Sequence, residues 1–150
     1  MRSAVVSDWL AQTDWANWHR TAMTGDASAR RYERLRHPTG TQVILMDAPP
    51  ETCGSQARFV QIADHLQRIG LSSPQILAWD EPLGLMILQD LGATDFAQHL
   101  RNQPDDEMPL YEAAVDVLLH IAASDPPSGL DVMTPEVGAQ MTDIAFDWAA

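Results

Sequence analysis

The residues best suited to chemistry lie between Gly25 and Leu35, in the run Gly-Asp-Ala-Ser-Ala-Arg-Arg-Tyr-Glu-Arg-Leu. Gly25, Asp26, Ala27 and Ser28 carry short side chains, so a backbone here approaches a ligand closely. Successive N–H groups in such a turn form a concavity that holds an anion. Ser28 adds a hydroxyl, and Arg30 and Arg31 bring positive charge to the start of a strand-like segment with Tyr32 and Leu35. A phosphate is the guest this chemistry suits. The same residues are also ordinary turn formers, and read alone the stretch is by default a plain hairpin entry.

Other reactive side chains form no comparable group. The five histidines are scattered without metal-ligand spacing, and each reads as a singly satisfied side chain. Cys53 stands beside Gly54 with no base in sequence reach, which argues against a catalytic thiol. A formal net charge of −12 lacks the basic footprint that a nucleic-acid binder needs. All nine positive residues are arginine; the chain has no lysine. One cysteine makes no internal disulfide and fits a reducing compartment. Met1 to Gln12 carries Asp8 and no long apolar run, so it reads as neither signal peptide nor membrane span. A cytoplasmic protein is the expectation.

The elements that must position the loop follow from pattern. A chain of 150 residues, 45% apolar, suits one compact unit with a genuine core. Ser7 is placed to cap a short helix through Gln12, with Trp9 and Leu10 as its apolar surface, and Trp15 and Trp18 read as packing anchors. Asp26–Arg36 reads as loop and strand, His37–Gly40 as a turn, and Gln42–Met46 as a second strand ended by Pro49 and Pro50. Between Ser55 and Ile69 a helix sets Phe59, Ile62, Ala63, Leu66 and Ile69 on one face. Asp64 and Arg68 form an ion pair on the other, and Gly70 stops the helix. Gln75–Trp79 and Leu85–Leu88 read as strands around a turn at Asp80–Gly84, the second apolar throughout as a buried central strand is. Thr94 or Asp95 caps a short helix. Leu110–Ala123 carries an apolar helical stripe, Pro126–Gly129 breaks it, and Thr134-Pro135-Glu136 opens a last helix with Met141, Ile144, Ala145 and Trp148.

A small-residue hairpin loop, a second strand, one helix, two strands and then helices is the order of parts in the small lobe of kinase-like phosphotransferases. Gly25-Asp26-Ala27-Ser28 with Arg30-Arg31-Tyr32, then Val43-Ile44-Leu45-Met46-Asp47-Ala48-Pro49-Pro50, then Leu88-Gln89-Asp90-Leu91-Gly92 resemble the aminoglycoside-phosphotransferase-like kinases. The Met-Asp-Ala-Pro-Pro stretch is similar to the branch of cell-wall amino-sugar kinases, which phosphorylate the anomeric hydroxyl of N-acetylmuramate and N-acetylglucosamine in cell-wall recycling. The resemblance covers nearly the whole chain. It implies an α+β fold: a kinase-like small lobe over residues 1–91, an antiparallel sheet plus one helix, followed over 92–150 by the first helices of an incomplete helical lobe. It further implies ATP and Mg²⁺ as cofactors and a small sugar as substrate, with no nucleic-acid or membrane partner. The backbone of Asp26, Ala27 and Ser28 would fold over the ATP phosphates, and Arg30 or Arg31 would help to neutralise them. Gln89, Asp90 and Leu91 would form the interlobe crossing whose backbone reads the adenine edge.

Two departures qualify the pattern. Kinase-like folds place a lysine on the second hairpin strand, paired with an acid on the next helix; here that strand has Met46 and Asp47, and Asp64 faces outward. Catalysis also needs an aspartate from a His-x-Asp loop and acidic Mg²⁺ ligands. His19, His37, His65, His99 and His120 are followed two residues on by Thr21, Thr39, Gln67, Arg101 and Ala122. No catalytic or metal-ligating residue is therefore assigned within these residues, and the resemblance is to the first half of a phosphotransferase. Two alternatives stand beside the sugar kinase: a pseudokinase-like module that binds nucleotide or a partner, and a kinase for an aminoglycoside or another small hydroxyl compound.

Overall fold

A computed structural model describes residues 2–24 and 28–142. Five antiparallel strands form one sheet in the order β1-β2-β3-β5-β4. They are β1 (His19–Ala22), β2 (Arg31–Arg36), β3 (Gln42–Asp47), β4 (Ile76–Asp80) and β5 (Leu85–Gln89). The helices are α1 (Arg2–Leu10), α2 (Pro50–Cys53), α3 (Ala57–Arg68), α4 (Phe96–Asn102), α5 (Glu107–Ala123) and α6 (Pro135–Thr142), with a 3₁₀ turn at Pro104–Asp106. The architecture is α+β, as expected.

Side chains alternate between the faces of a strand, and each face here buries a different set. Leu35, Val43, Leu45, Leu85 and Ile87 pack with Val6 and Leu10 of α1 and are joined by Trp9, Trp15 and Trp18. On the opposite face Met46, Met86 and Leu88 pack with Phe59 and Val60 of α3. Because both faces are covered, β5 needs an unbroken apolar run, and Leu85, Met86 and Ile87 are fully buried as that run predicts. Each such side chain contributes about 1.5–3 kcal/mol by leaving water.

The amino-terminal expectation is corrected. α1 begins at Arg2 rather than being capped by Ser7, because Arg2, Val6 and Leu10 recur every four residues and give it a buried face. Ser7 lies inside the helix, where its Oγ accepts a hydrogen bond from Arg20 Nη1 at 3.0 Å. β1 was not foreseen. Its His-Arg-Thr-Ala sequence is mostly solvent-facing, and an Arg20–Glu33 fork (Nε to Oε2 at 2.7 Å, Nη2 to Oε1 at 2.9 Å) clips this edge strand to β2. Pro49-Pro50 ends β3 as expected, and Pro50 then starts the short α2 at a position where a missing N–H costs nothing.

α3 stops as predicted. Gly70 adopts φ +83°, and the N–H groups of Gly70 and Leu71 donate to the carbonyls of Gln67 and Leu66, the paired bonds of a Schellman ending. Asp64 and Arg68 are both exposed on its far side, but they are not among the ion pairs of the described residues. Asp95 caps α4, accepting the Gln98 N–H at 2.6 Å, and the Thr134 hydroxyl accepts the Val137 N–H at the start of α6. Met141 is exposed on α6, while Ile144, Ala145 and Trp148 lie outside the described residues.

The stripe on α5 is present but uncovered: Leu118 and Leu119 are 63% and 62% exposed. α5 meets the rest of the chain through polar and edge contacts. His120 Nε2 lies 2.6 Å from the Ile69 carbonyl, and Phe96 meets Tyr111 edge-on. The segment after it docks on α3, where Arg58 and Gln61 donate to the carbonyls of Gly129 and Ser128. Among the described residues no helix is long and apolar enough to cross a membrane.

Candidate functional site

β1 and β2 pair as an edge hairpin, extended by a bond from the Met23 N–H to the Tyr32 carbonyl. Asp26 and Ala27 lie outside the described residues. Ser28 is exposed, and its Oγ accepts the Arg30 N–H at 3.3 Å. Arg31 stands opposite Asp47 in the β2–β3 register. It borders a cavity of about 510 Å³ with Ser28, Ala29, Arg2 and Asp47.

Asp47 is buried on the α1 side of the sheet and is held by Arg2, whose Nε donates at 2.8 Å; Arg2 Nη2 also reaches the Leu83 carbonyl at 2.6 Å. The other face of β3 presents Ile44 and Met46, and Met46 is fully buried against the α3 side. Arg2 therefore sits across the sheet from Met46.

On the α3 side of the hairpin lies a larger cleft, about 900 Å³. It runs from Met23 and Thr24, beside the loop, along Thr21 and Arg34 to Gly92, Ala93 and Asp95 at the other end of the strands. Arg34, Arg36 and His19 line it against one carboxylate, Asp95, which is engaged as the α4 cap. Arg34 is itself paired with Asp90, so Arg36, which is in no ion pair among the described residues, is the cation of this wall that suits an anionic guest. Its size fits a nucleoside triphosphate. The same lining does not fit Mg²⁺, which is held through free carboxylates. No group of three His, Cys, Asp or Glu side chains gathers as a metal site among the described residues.

The β5 exit closes one end of the cleft. Gln89 is exposed and in register with Val43, and its N–H donates to the Gln75 carbonyl at 2.8 Å. Asp90 turns inward, with its side chain only 8% exposed, while Leu91 is 61% exposed. Arg34 Nε donates to Asp90 Oδ2 at 2.6 Å and Nη2 to Oδ1 at 3.3 Å. The Gly92 N–H also donates to Oδ1, at 2.9 Å. Burial pushes the Asp90 carboxyl up, but the bonds from Arg34 and Gly92 and the Arg34 charge outweigh it and hold the group below its ordinary value. Sequence reasoning placed Asp90 at the interlobe crossing and missed Arg34. The available signal was Arg34 alternating with Tyr32 and Arg36 on one strand face, but its partner lies 56 residues away.

Three curated proteins bear on this arrangement. The N-acetylmuramate/N-acetylglucosamine kinase of Caulobacter vibrioides is 34% identical over 155 aligned positions, taking in 86% of this chain and 42% of that kinase. The chain is a homologue of these kinases. The Pseudomonas aeruginosa kinase of the same name is 34% identical over 127 positions, 83% of this chain and 36% of its own length. The Neisseria meningitidis kinase is 34% identical over 97 positions, 63% and 28%. The chain thus spans about two fifths or less of the curated relatives it matches. No protein-family profile matches it.

Proposed function

We propose that this chain is the nucleotide-binding portion of an ATP-dependent sugar kinase acting on N-acetylmuramate or N-acetylglucosamine in cell-wall recycling. The observation that carries the reading is 34% identity to a kinase of that name over 86% of the chain. Residues 1–91 form the nucleotide lobe, and residues 92–150 begin a helical lobe of the same kinase-like fold. ATP lies in the 900 Å³ cleft, with its base toward the end lined by Gly92 and Ala93, beside Gln89, Asp90 and Leu91, and its phosphates toward Met23 and Thr24. There the N–H groups of Asp26, Ala27 and Ser28 and the charge of Arg30 oppose the phosphate oxygens, while Arg31 borders the cavity on the α1 side of the sheet. Bound Mg²⁺ would neutralise the triphosphate; its ligands and the group accepting the sugar hydroxyl proton belong to other parts of a longer protein. The protein acts in the cytoplasm.

Calorimetric titration of the 150-residue chain with ATP and ADP tests this. Saturable binding without Mg²⁺, together with no sugar phosphate formed from either amino sugar, is the expected result. Absence of nucleotide binding would refute the nucleotide-lobe reading, and sugar turnover by this chain would refute the assignment of catalysis to other residues.

A further inference from the structure

We infer that Arg34 is a positioning residue for nucleotide recognition: it latches the β5 exit to β2 and so holds in place the backbone of Asp90 and Leu91, which leads into the cleft-lining Gly92 and Ala93. The inference rests on the cleft being the ATP site.

Arg34 sits mid-strand, in register with Thr21 on β1 and Ile44 on β3, so its backbone is fixed from both sides. Its side chain runs along the sheet face and lines the cleft. At its far end, Nε and Nη2 take the Asp90 carboxylate as a two-pronged fork, and Nη2 also donates to the Gly92 carbonyl at 3.3 Å. A planar fork constrains both distance and angle, which a point charge does not.

A count of backbone partners shows what the latch leaves over. The Gln89 N–H is taken by Gln75. Both polar groups of Gly92 are taken, its N–H by Asp90 and its carbonyl by Arg34. Asp90 and Leu91 are left, whose backbone N–H and C=O groups have no hydrogen-bond partner among the described residues. Leu91 also exposes its side chain, so a flat apolar ring meets it at no desolvation cost to a polar group. An N–H and a C=O on the same edge of the chain read a heterocycle that offers one acceptor beside one donor, as the adenine edge does. Guanine presents a carbonyl and a ring N–H at the equivalent edge, so the same fixed groups distinguish the two bases. Discrimination of that kind depends on the turn being held still, because a turn that can re-form accepts either pattern.

The experiment measures ATP and GTP affinity of the full chain by calorimetry, for the parent, Arg34→Gln, Arg34→Lys and Asp90→Asn, with urea unfolding of each as a control. The parent binds ATP more tightly than GTP. Each variant should lose about tenfold in ATP affinity and less in GTP affinity, and Arg34→Lys should fail to restore the difference. Equal losses for both nucleotides, or rescue by lysine, would mean that Arg34 acts as a charge on the phosphates and would overturn the inference. Unchanged ATP affinity in the variants would overturn it as well. If Arg34→Gln does not fold, Asp90→Asn, which keeps the cation, decides by the same ratio. A parent chain that binds neither nucleotide refutes the underlying site assignment instead, a result distinct from all of these.

Discussion

Gly84 offers the sharpest test of how the sheet is closed. It adopts φ +66°, and a Cβ built on it would stand 2.2 Å from the Ala48 carbonyl oxygen and 2.8 Å from Pro50 Cδ. Its own carbonyl accepts the Ala48 N–H at 2.9 Å, so the turn between β4 and β5 is bonded directly to the end of β3. Alanine at this position meets three costs. The left-handed backbone costs about 1–2 kcal/mol for a residue with a Cβ. Relief of a contact this short moves the turn by more than an ångström and breaks the Ala48–Gly84 bond, worth about 1 kcal/mol. The displacement then carries buried Leu85 with it, an overpacking penalty of about 1–3 kcal/mol. Gly84→Ala should therefore destabilise the chain by about 3–6 kcal/mol, a large part of the usual 5–15 kcal/mol. Gly70→Ala is the control, because Gly70 is equally left-handed at φ +83° but has nothing within 4 Å of the added carbon; it should cost only the backbone share, about 1–2 kcal/mol. Urea titration followed by tryptophan fluorescence gives both values. If Gly84→Ala costs no more than Gly70→Ala, the close approach of turn to strand is wrong.

The Asp90 carboxyl is held below its unfolded value, so its contribution is present above about pH 4 and lost as pH falls through the lower folded value. The urea-measured stability difference between parent and Asp90→Asn should be flat near neutrality and shrink below about pH 4; a difference constant through that range contradicts the latch. Arg2→Met leaves the buried Asp47 carboxylate without its cation and should cost about 1–3 kcal/mol, reduced from a fully buried pair because Arg2 is 28% exposed. Adding Asp47→Asn should recover part of that loss, and a double-mutant cycle with no coupling would disprove it. Leu118→Glu on the uncovered α5 should change unfolding stability by less than about 0.5 kcal/mol yet lower any self-association seen by sedimentation.

What the sequence disclosed depended on how local the cause was. β5 was legible because burial on both faces demands an unbroken apolar run, and α3 because one face and a terminal glycine mark its length. β1 was not: four largely polar residues at a sheet edge owe their strand to pairing with β2 and to the Arg20–Glu33 fork, neither of which appears in a local pattern. α1 was displaced because Ser7 satisfies a capping rule that the four-residue recurrence of Arg2, Val6 and Leu10 overrides. The apolar stripe of α5 was legible from its helical spacing, but that spacing does not say what covers it, and Leu118 is 63% exposed. At the cleft, the loop was visible as turn chemistry and Asp90 through the resemblance carried by Leu88–Gly92, whereas Arg34 and Arg2 acquire partners only when the sheet brings distant residues together.

Every residue of the two buried clusters falls between Val6 and Leu88. During synthesis, then, the core is complete in sequence before α4 has been made. At about 5–20 residues per second, roughly 1–4 s separate its last residue from the first residue of α5. The sheet and its two covering helices have time to settle while the apolar α5 is still emerging, so they present a finished surface to α5 rather than competing with it for partners.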